Sequence, residues 1–303
     1  MKRPRFLALP VVILAAAPCL AAEVAILKST DAPSWRPALE TLRRRATRHT
    51  LSEYDLAGDR AQGERVLVSL RDRNLILVGL GPLAATLCRT LAPQRPLVFA
   101  MVADPAREGL ANAPNTAGVA FTIPVKNQLA AFRMVNPAAV RVGVIYSQEN
   151  SRELIAEAVA ASRVVRMAIV ERPVESARDI PKALRELLGG REAVSALWIP
   201  PDPILLAEET RRFLLSETLK AGTPIYSFSR MLVAEGALVS NGPDMGSIGD
   251  EIGELLNRLD AGEPIAGIGQ LIPRAELVIN KKIADQLKIE IPADALRAAS
   301  EVQ

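Results

Sequence analysis

Along this chain, short runs of β-branched residues and leucine alternate with stretches in which apolar residues recur every three or four positions. Residues 23–27 read as a strand, and in 37–48 Leu39, Leu42 and Ala46 fall on one helical face. Further strands are expected at 75–78, 97–102 and 118–121, with a helix over 83–91. The pattern then restarts. Helices at 125–135, 151–163, 178–188 and 204–221 interleave with strands at 141–146, 165–170, 193–199 and 223–228. Strands separated by helices imply parallel sheets, because a parallel connection needs a long crossover and a helix is the usual one. These are too many strands for one comfortable sheet, and 112–116 and 122–124 look like a break between two units. The expectation is an α/β protein of two Rossmann-like lobes. A late helix, 247–259, stops at Asp260-Ala261-Gly262 and is placed back on the first lobe. The tail supplies a strand at 276–279, Asn280 as an N-cap and a short helix at 281–287. Lobe 1 is thus expected to comprise 23–122 with 243–266, and lobe 2 123–242 with 267–303, joined by a hinge of crossing strands.

Composition narrows the class. The 303 residues are 49% hydrophobic and 23% charged, which fits a globular protein large enough for two cores. The formal charge of +3 comes entirely from Lys2, Arg3 and Arg5. Without residues 1–22 the chain carries 34 bases against 34 acids, a balance that argues against nucleic-acid binding. Those first residues read as an export signal: a basic start, an apolar run over 6–17, and small residues at 19–22 for cleavage. The run is shorter than the roughly 18 residues of a membrane span, so no stable membrane insertion is expected after cleavage. Pro18 stands where lipoprotein processing wants a small residue, so Cys19 is read as part of the signal and export as soluble and periplasmic. Cys88 then remains alone, no intramolecular disulfide can form, and stability rests on core burial.

In open parallel sheets, ligands lie beyond the carboxyl ends of strands, where helix N-termini expose N–H groups. Here those loops are 29–35, 79–82, 103–105, 147–151, 200–203 and 227–230, with 241–247 at the return crossing. Each candidate has two readings. Gly79 and Gly81 lack the third glycine of a dinucleotide fingerprint, so Gly81 and Pro82 are a tight turn or a ligand contact. Asn150 or Ser151 caps a helix, alone or while touching a ligand, and Asp202 between two prolines is an N-cap or a ligand acid. Trp35 and Tyr146 pack or stack, whereas Trp198 lies inside an apolar strand and reads as core.

Catalytic chemistry finds little support. His49, the single histidine, sits in a basic stretch expected to be an exposed helix end, and Cys88 lies in an apolar helix. One histidine and one cysteine make no familiar zinc site, and neither a phosphate-binding loop nor a serine-nucleophile elbow occurs. No cofactor or metal is expected.

Ordered blocks carry a resemblance. Pro114-Asn115-Thr116-Ala117-Gly118-Val119, the helix at 125–135 and Arg141-Val142-Gly143-Val144-Ile145-Tyr146-Ser147 resemble the crossover of bacterial ABC transporter substrate-binding proteins of the type I periplasmic-binding fold. The tail, Glu276-Leu277-Val278-Ile279-Asn280-Lys281-Lys282-Ile283-Ala284 with Leu287, Ile289 and Ile291-Pro292, is similar to that family's ending. Asp104-Pro105 with Gly109-Leu110 resembles its segment after the third strand. The likeness spans roughly 65–292 and implies two lobes that close over a small molecule and deliver it to a membrane permease. Some relatives bind aromatic amino acids. The chain departs from the family at Ser227-Phe228-Ser229-Arg230, where relatives usually carry an acid, and at Asp244-Met245-Gly246-Ser247, where they carry aromatic residues.

If the ligand is amino-acid-like, Asn150 and Ser151 are expected to receive its carboxylate, Asp202 and Asp104 its ammonium, and Trp35 or Tyr146 its side chain. Gly81, Pro82, Ser229 and Asp244 complete the candidate set. The competing readings are an exported enzyme using Asp104 and Asp202 in the cleft, and a binding protein that serves a sensor.

Overall fold

The computed structural model describes residues 23–190, 193–265 and 267–303; the export signal expected at 1–22 lies outside them. The first half runs β1 (Glu23–Lys28), α1 (Arg36–Arg45), β2 (Thr50–Asp55), α2 (Arg60–Ser69), β3 (Leu75–Leu80), α3 (Pro82–Leu91), β4 (Leu97–Ala100) and β5 (Thr116–Val119). A single 3₁₀ turn, Pro33–Trp35, leads into α1. The central strands are continuous apolar runs because helices cover both faces of the sheet. Along β1, Val24 and Ile26 face α1, whereas Ala25 and Leu27 face α2 and α3. The sheet order is β2-β1-β3-β4-β5, and all of these pairs are parallel.

The second half restarts with α4 (Val125–Val135), β6 (Arg141–Ser147), α5 (Gln148–Val164), β7 (Ala168–Val174) and α6 (Ile180–Leu188). It continues through β8 (Ala196–Ile199), α7 (Pro203–Leu206), α8 (Glu208–Lys220), β9 (Ile225–Ser227), α9 (Arg230–Ala234) and β10 (Val239–Pro243). The chain then returns as α10 (Met245–Asp260), whose Ile248, Ile252, Leu255 and Leu256 pack with Ala38, Leu39 and Leu42 of α1 in the first lobe. After β11 (Gln270–Leu271) it goes back to the second lobe as β12 (Ala275–Ile279), α11 (Lys281–Gln286), α12 (Ala293–Ala298) and β13 (Glu301–Val302). This sheet is ordered β13-β12-β10-β9-β8-β6-β7, with only the β10–β12 pair antiparallel. Two lobes of parallel sheet, each covered on both faces, are the architecture expected from the residue pattern.

Several details depart from that expectation. β11 pairs with β5 in the first sheet, so 267–271 go with lobe 1 and not with lobe 2. The strand expected at 165–170 begins at Ala168, because the chain turns through Arg166 at φ 56° before it can extend. The helix expected over 204–221 breaks at Ala207, whose ψ of 135° is extended. His49 is not on an exposed helix end. Its side chain is fully buried, with Nε2 2.9 Å from Asp260 Oδ2 at the end of α10.

Candidate functional site

Three segments cross between the lobes: β5 to α4, β10 to α10, and β11 to β12. They are laced together. Ala120 N donates to Leu271 O at 2.8 Å, Asp244 N donates to Arg274 O at 2.9 Å, and Arg274 N donates to Ser247 Oγ at 3.0 Å. Beside this hinge lies a cavity of about 430 Å³, within the range of small-molecule sites. Pro33, Ser34 and Pro37 wall it from the first lobe, Phe228 to Met231 and Glu276 from the second, and Phe121 and Pro243 to Gly246 from the crossings. A roomier hollow of about 620 Å³ lies in lobe 2, lined by Asn136 to Ala139, Ser195 and Pro224. Those residues precede β6, β8 and β9, the end of a parallel sheet where ligands do not gather, and lobe 1 does not reach it.

The interlobe cavity is mostly apolar. Phe121, Phe228, Met231 and Met245 supply its hydrophobic surface, and Met231 on the lip is 47% exposed. The polar groups come from element ends. Ser229 caps α9, its Oγ accepting from Met231 N at 3.3 Å. Asp244 caps α10, its Oδ1 accepting from Gly246 N at 2.9 Å, while Oδ2 meets Arg274 Nη2 at 3.3 Å. Arg230 Nη1 donates to Glu276 Oε1 at 3.0 Å and Nη2 to Glu301. Burial raises the Glu276 carboxyl above its ordinary value; Arg230 opposes this, and the neighbouring Asp244 and Glu301 carboxylates add to it.

Of the residues singled out in the sequence, the structure brings Ser229 and Asp244 into this cavity. Trp35 sits above Gly81, where an added Cβ would lie 2.9 Å from its ring, so it packs on lobe 1 while its neighbours Pro33 and Ser34 line the site. Gly81 (φ +83°) is the N-cap of α3 before Pro82, and it carries no capping side chain; Ser29 Oγ, just past the end of β1, accepts from Ala84 N at 2.9 Å instead. Asp104 is an exposed turn residue accepting from Arg107 N at 3.0 Å. Tyr146 is core, its OH donating to Glu171 at 3.2 Å. Asn150 is exposed and donates through Nδ2 to Ser147 Oγ at 2.8 Å.

Asp202 departs furthest from expectation. It is completely buried. Its Oδ2 accepts from Ser147 N at 2.8 Å and from Ser151 Oγ at 2.7 Å, and its Oδ1 accepts from Ile204 N at 2.9 Å. Both oxygens are engaged, so Asp202 and Ser151 brace the β6 and β8 loops instead of facing a ligand. Asp202 thus has both oxygens engaged within lobe 2, while Asp104 sits in an exposed turn of lobe 1. Cys88 is buried and its thiol is pushed up to about 12 by desolvation, the reverse of an activated nucleophile. Among the described residues no group of acids, histidines or cysteines is arranged to hold a metal ion.

The sequence reading missed Pro37, Phe121, Met231, Ser240 and Glu276. Phe228 and Met245 lie within the loops it named, 227–230 and 241–247. Of the missed residues, only Phe121 lies just beyond a strand end, two places after β5; Ser240 and Glu276 are strand residues of β10 and β12, and Pro37 and Met231 belong to α1 and α9, so no local signal marked them.

Comparison with known proteins fits this geometry. No curated protein matches the chain. A solved ABC domain from Streptococcus pneumonia in complex with L-Trp is 21% identical, with a TM-score of 0.68 over 93% of this chain and 99% of its own. A conserved domain protein from Vibrio cholerae, also 21% identical, has a TM-score of 0.65 over 93% and 100%. A ligand-free, open substrate-binding protein with adhesive properties from Clostridium difficile is 15% identical, with a TM-score of 0.78 over 93% and 99%. These likenesses give the fold, a type I periplasmic-binding architecture. The family model for ABC transporter substrate binding proteins matches residues 50–303, most of the chain. With two lobes, three laced crossings and a cavity between them, this chain belongs to the ABC transporter substrate-binding protein family.

Proposed function

We propose that the protein is the periplasmic solute-binding component of an ABC uptake system, which closes its lobes over a small, largely apolar molecule and presents the closed form to a permease. The observation that carries this reading is the cavity at the hinge, walled by both lobes and lined by Phe121, Phe228, Met231 and Met245. A ligand touching both walls stabilises the closed arrangement more than the open one and so shifts the population toward it. Among the described residues no helix is long and apolar enough to cross a membrane, which suits a component that meets its permease from outside the bilayer. The basic, apolar start of the sequence supports export. A neighbour of this fold was solved with L-Trp, so small aromatic compounds are the first ligands to test.

Native mass spectrometry of protein purified from its own cells should reveal a co-purifying small molecule. Small-angle scattering with and without that molecule should show compaction. Unchanged dimensions at saturation would reject the closing mechanism.

A further inference from the structure

The cavity holds one buried polar side chain that the protein leaves unused. Ser240 lies on β10, is 1% exposed and lines the cavity, and its Oγ has no hydrogen-bond partner. Its neighbours differ. Ser227 Oγ donates to Ser229 O at 3.1 Å, Ser247 Oγ donates to Asp244 O at 2.8 Å, and Ser229 Oγ accepts from Met231 N. A buried hydroxyl without a partner is costly, and a strand position of this kind is readily filled by valine or alanine. Strand alternation places Ser240 on the same face as Gly242, where an added Cβ would lie 2.1 Å from Phe228 O. The strand thus presents to the cavity one hydroxyl beside a closely packed backbone.

The charges of the cavity, by contrast, are all engaged. Arg230 pairs with Glu276 and Glu301, and Asp244 pairs with Arg274 and caps α10. A ligand ammonium or carboxylate brought to Ser240 would give up its hydration for a single neutral dipole, with every opposite charge already partnered. A neutral group makes a better exchange, because a hydroxyl both donates and accepts.

Building on the proposed solute-binding role of this cavity, we infer that the polar end of the ligand is an uncharged hydrogen-bonding group, an amide or hydroxyl, received by Ser240 Oγ. The apolar body lies against Phe121, Phe228, Met231 and Met245. Ser240 is then a specificity-determining residue, selecting neutral amphipathic molecules over zwitterions with the same side chain.

The test compares 3-phenylpropanamide with L-phenylalanine, which share a ring and differ in charge, on the mature protein and on Ser240→Ala, by protein-observed NMR titration. The amide should bind more tightly than the amino acid. Ser240→Ala should weaken amide binding about 5- to 10-fold, the worth of one net hydrogen bond. The same variant should melt at or above the wild-type temperature without ligand, since it removes an unpaired buried hydroxyl; a structural serine would lower it. Tighter binding of L-phenylalanine, or equal amide affinity in both proteins, overturns the inference and leaves the cavity as the binding site. If neither probe shifts resonances of the cavity residues, both the inference and the solute-binding reading of this cavity fall.

Discussion

Replacing Asp202 with alanine separates a structural acid from a ligand-binding one. The side chain holds three donors at once, Ser147 N, Ser151 Oγ and Ile204 N, at 2.8, 2.7 and 2.9 Å, and is wholly excluded from water. Alanine strands two of these donors in the interior, at about 1–3 kcal/mol each, and removes the cap of α7, worth about 1 kcal/mol. Partial relaxation and water entry offset some of that, giving an expected loss of about 3–5 kcal/mol. Set against a typical stability of about 5–15 kcal/mol, this is a large fraction. At about 2–4 °C per kcal/mol for a domain of this size, the melting temperature should drop by roughly 10 °C. Asp202→Asn keeps the shape and one acceptor, and should lose less than half as much. Urea unfolding of the ligand-free protein measures both. A loss under 1 kcal/mol for the alanine variant would show that the three contacts carry no net stability. Unchanged stability with abolished ligand binding would return Asp202 to the binding site.

Two further outcomes follow from the packing and electrostatics. Gly249 lets α10 lie against α1 so closely that an alanine Cβ would fall 2.1 Å from Ala38 O and 2.9 Å from Leu42 N, both backbone atoms. Gly249→Ala should therefore cost at least about 2 kcal/mol in urea unfolding, and a neutral result would contradict this contact. Glu276 should titrate above the ordinary 4.5 in a carboxyl NMR titration, because burial disfavours its charged form. An acid raised on folding contributes stability that is complete below pH 4.5 and is lost as pH climbs through its folded value. Glu276→Gln should flatten that part of the stability curve, and a Glu276 titration at or below 4.5 would reverse the sign.

The parts of the fold legible in the sequence were those buried on both faces. β1, β3, β6 and β8 are apolar throughout or nearly so, and one-dimensional patterning finds such runs. β2, Thr-Leu-Ser-Glu-Tyr-Asp, went unseen because it is an edge strand, only partly covered, whose alternation is weak. β10, Val-Ser-Asn-Gly-Pro, carries residues that ordinarily mark turns, since it must leave the sheet at the hinge, pass Phe228 closely and line a cavity. β11 and β13 are two residues each, and pairing alone defines them. At the site, Ser229 and Asp244 could be located because capping residues at strand ends are local signals. The status of Asp202 could not be read locally: Ser147 and Ser151 stand more than fifty positions away, and only their convergence shows that the acid is already engaged.

The three crossings are hydrogen-bonded to one another, so they form one joined strap and not three independent links. Under the proposed function, the free energy of closing is then common to every ligand, and the apparent dissociation constant is the intrinsic one divided by the closed fraction. On that reading the tie from Arg274 to Ser247 would act as a gain control. A change there multiplies all affinities by one factor and leaves their ranking to the cavity wall.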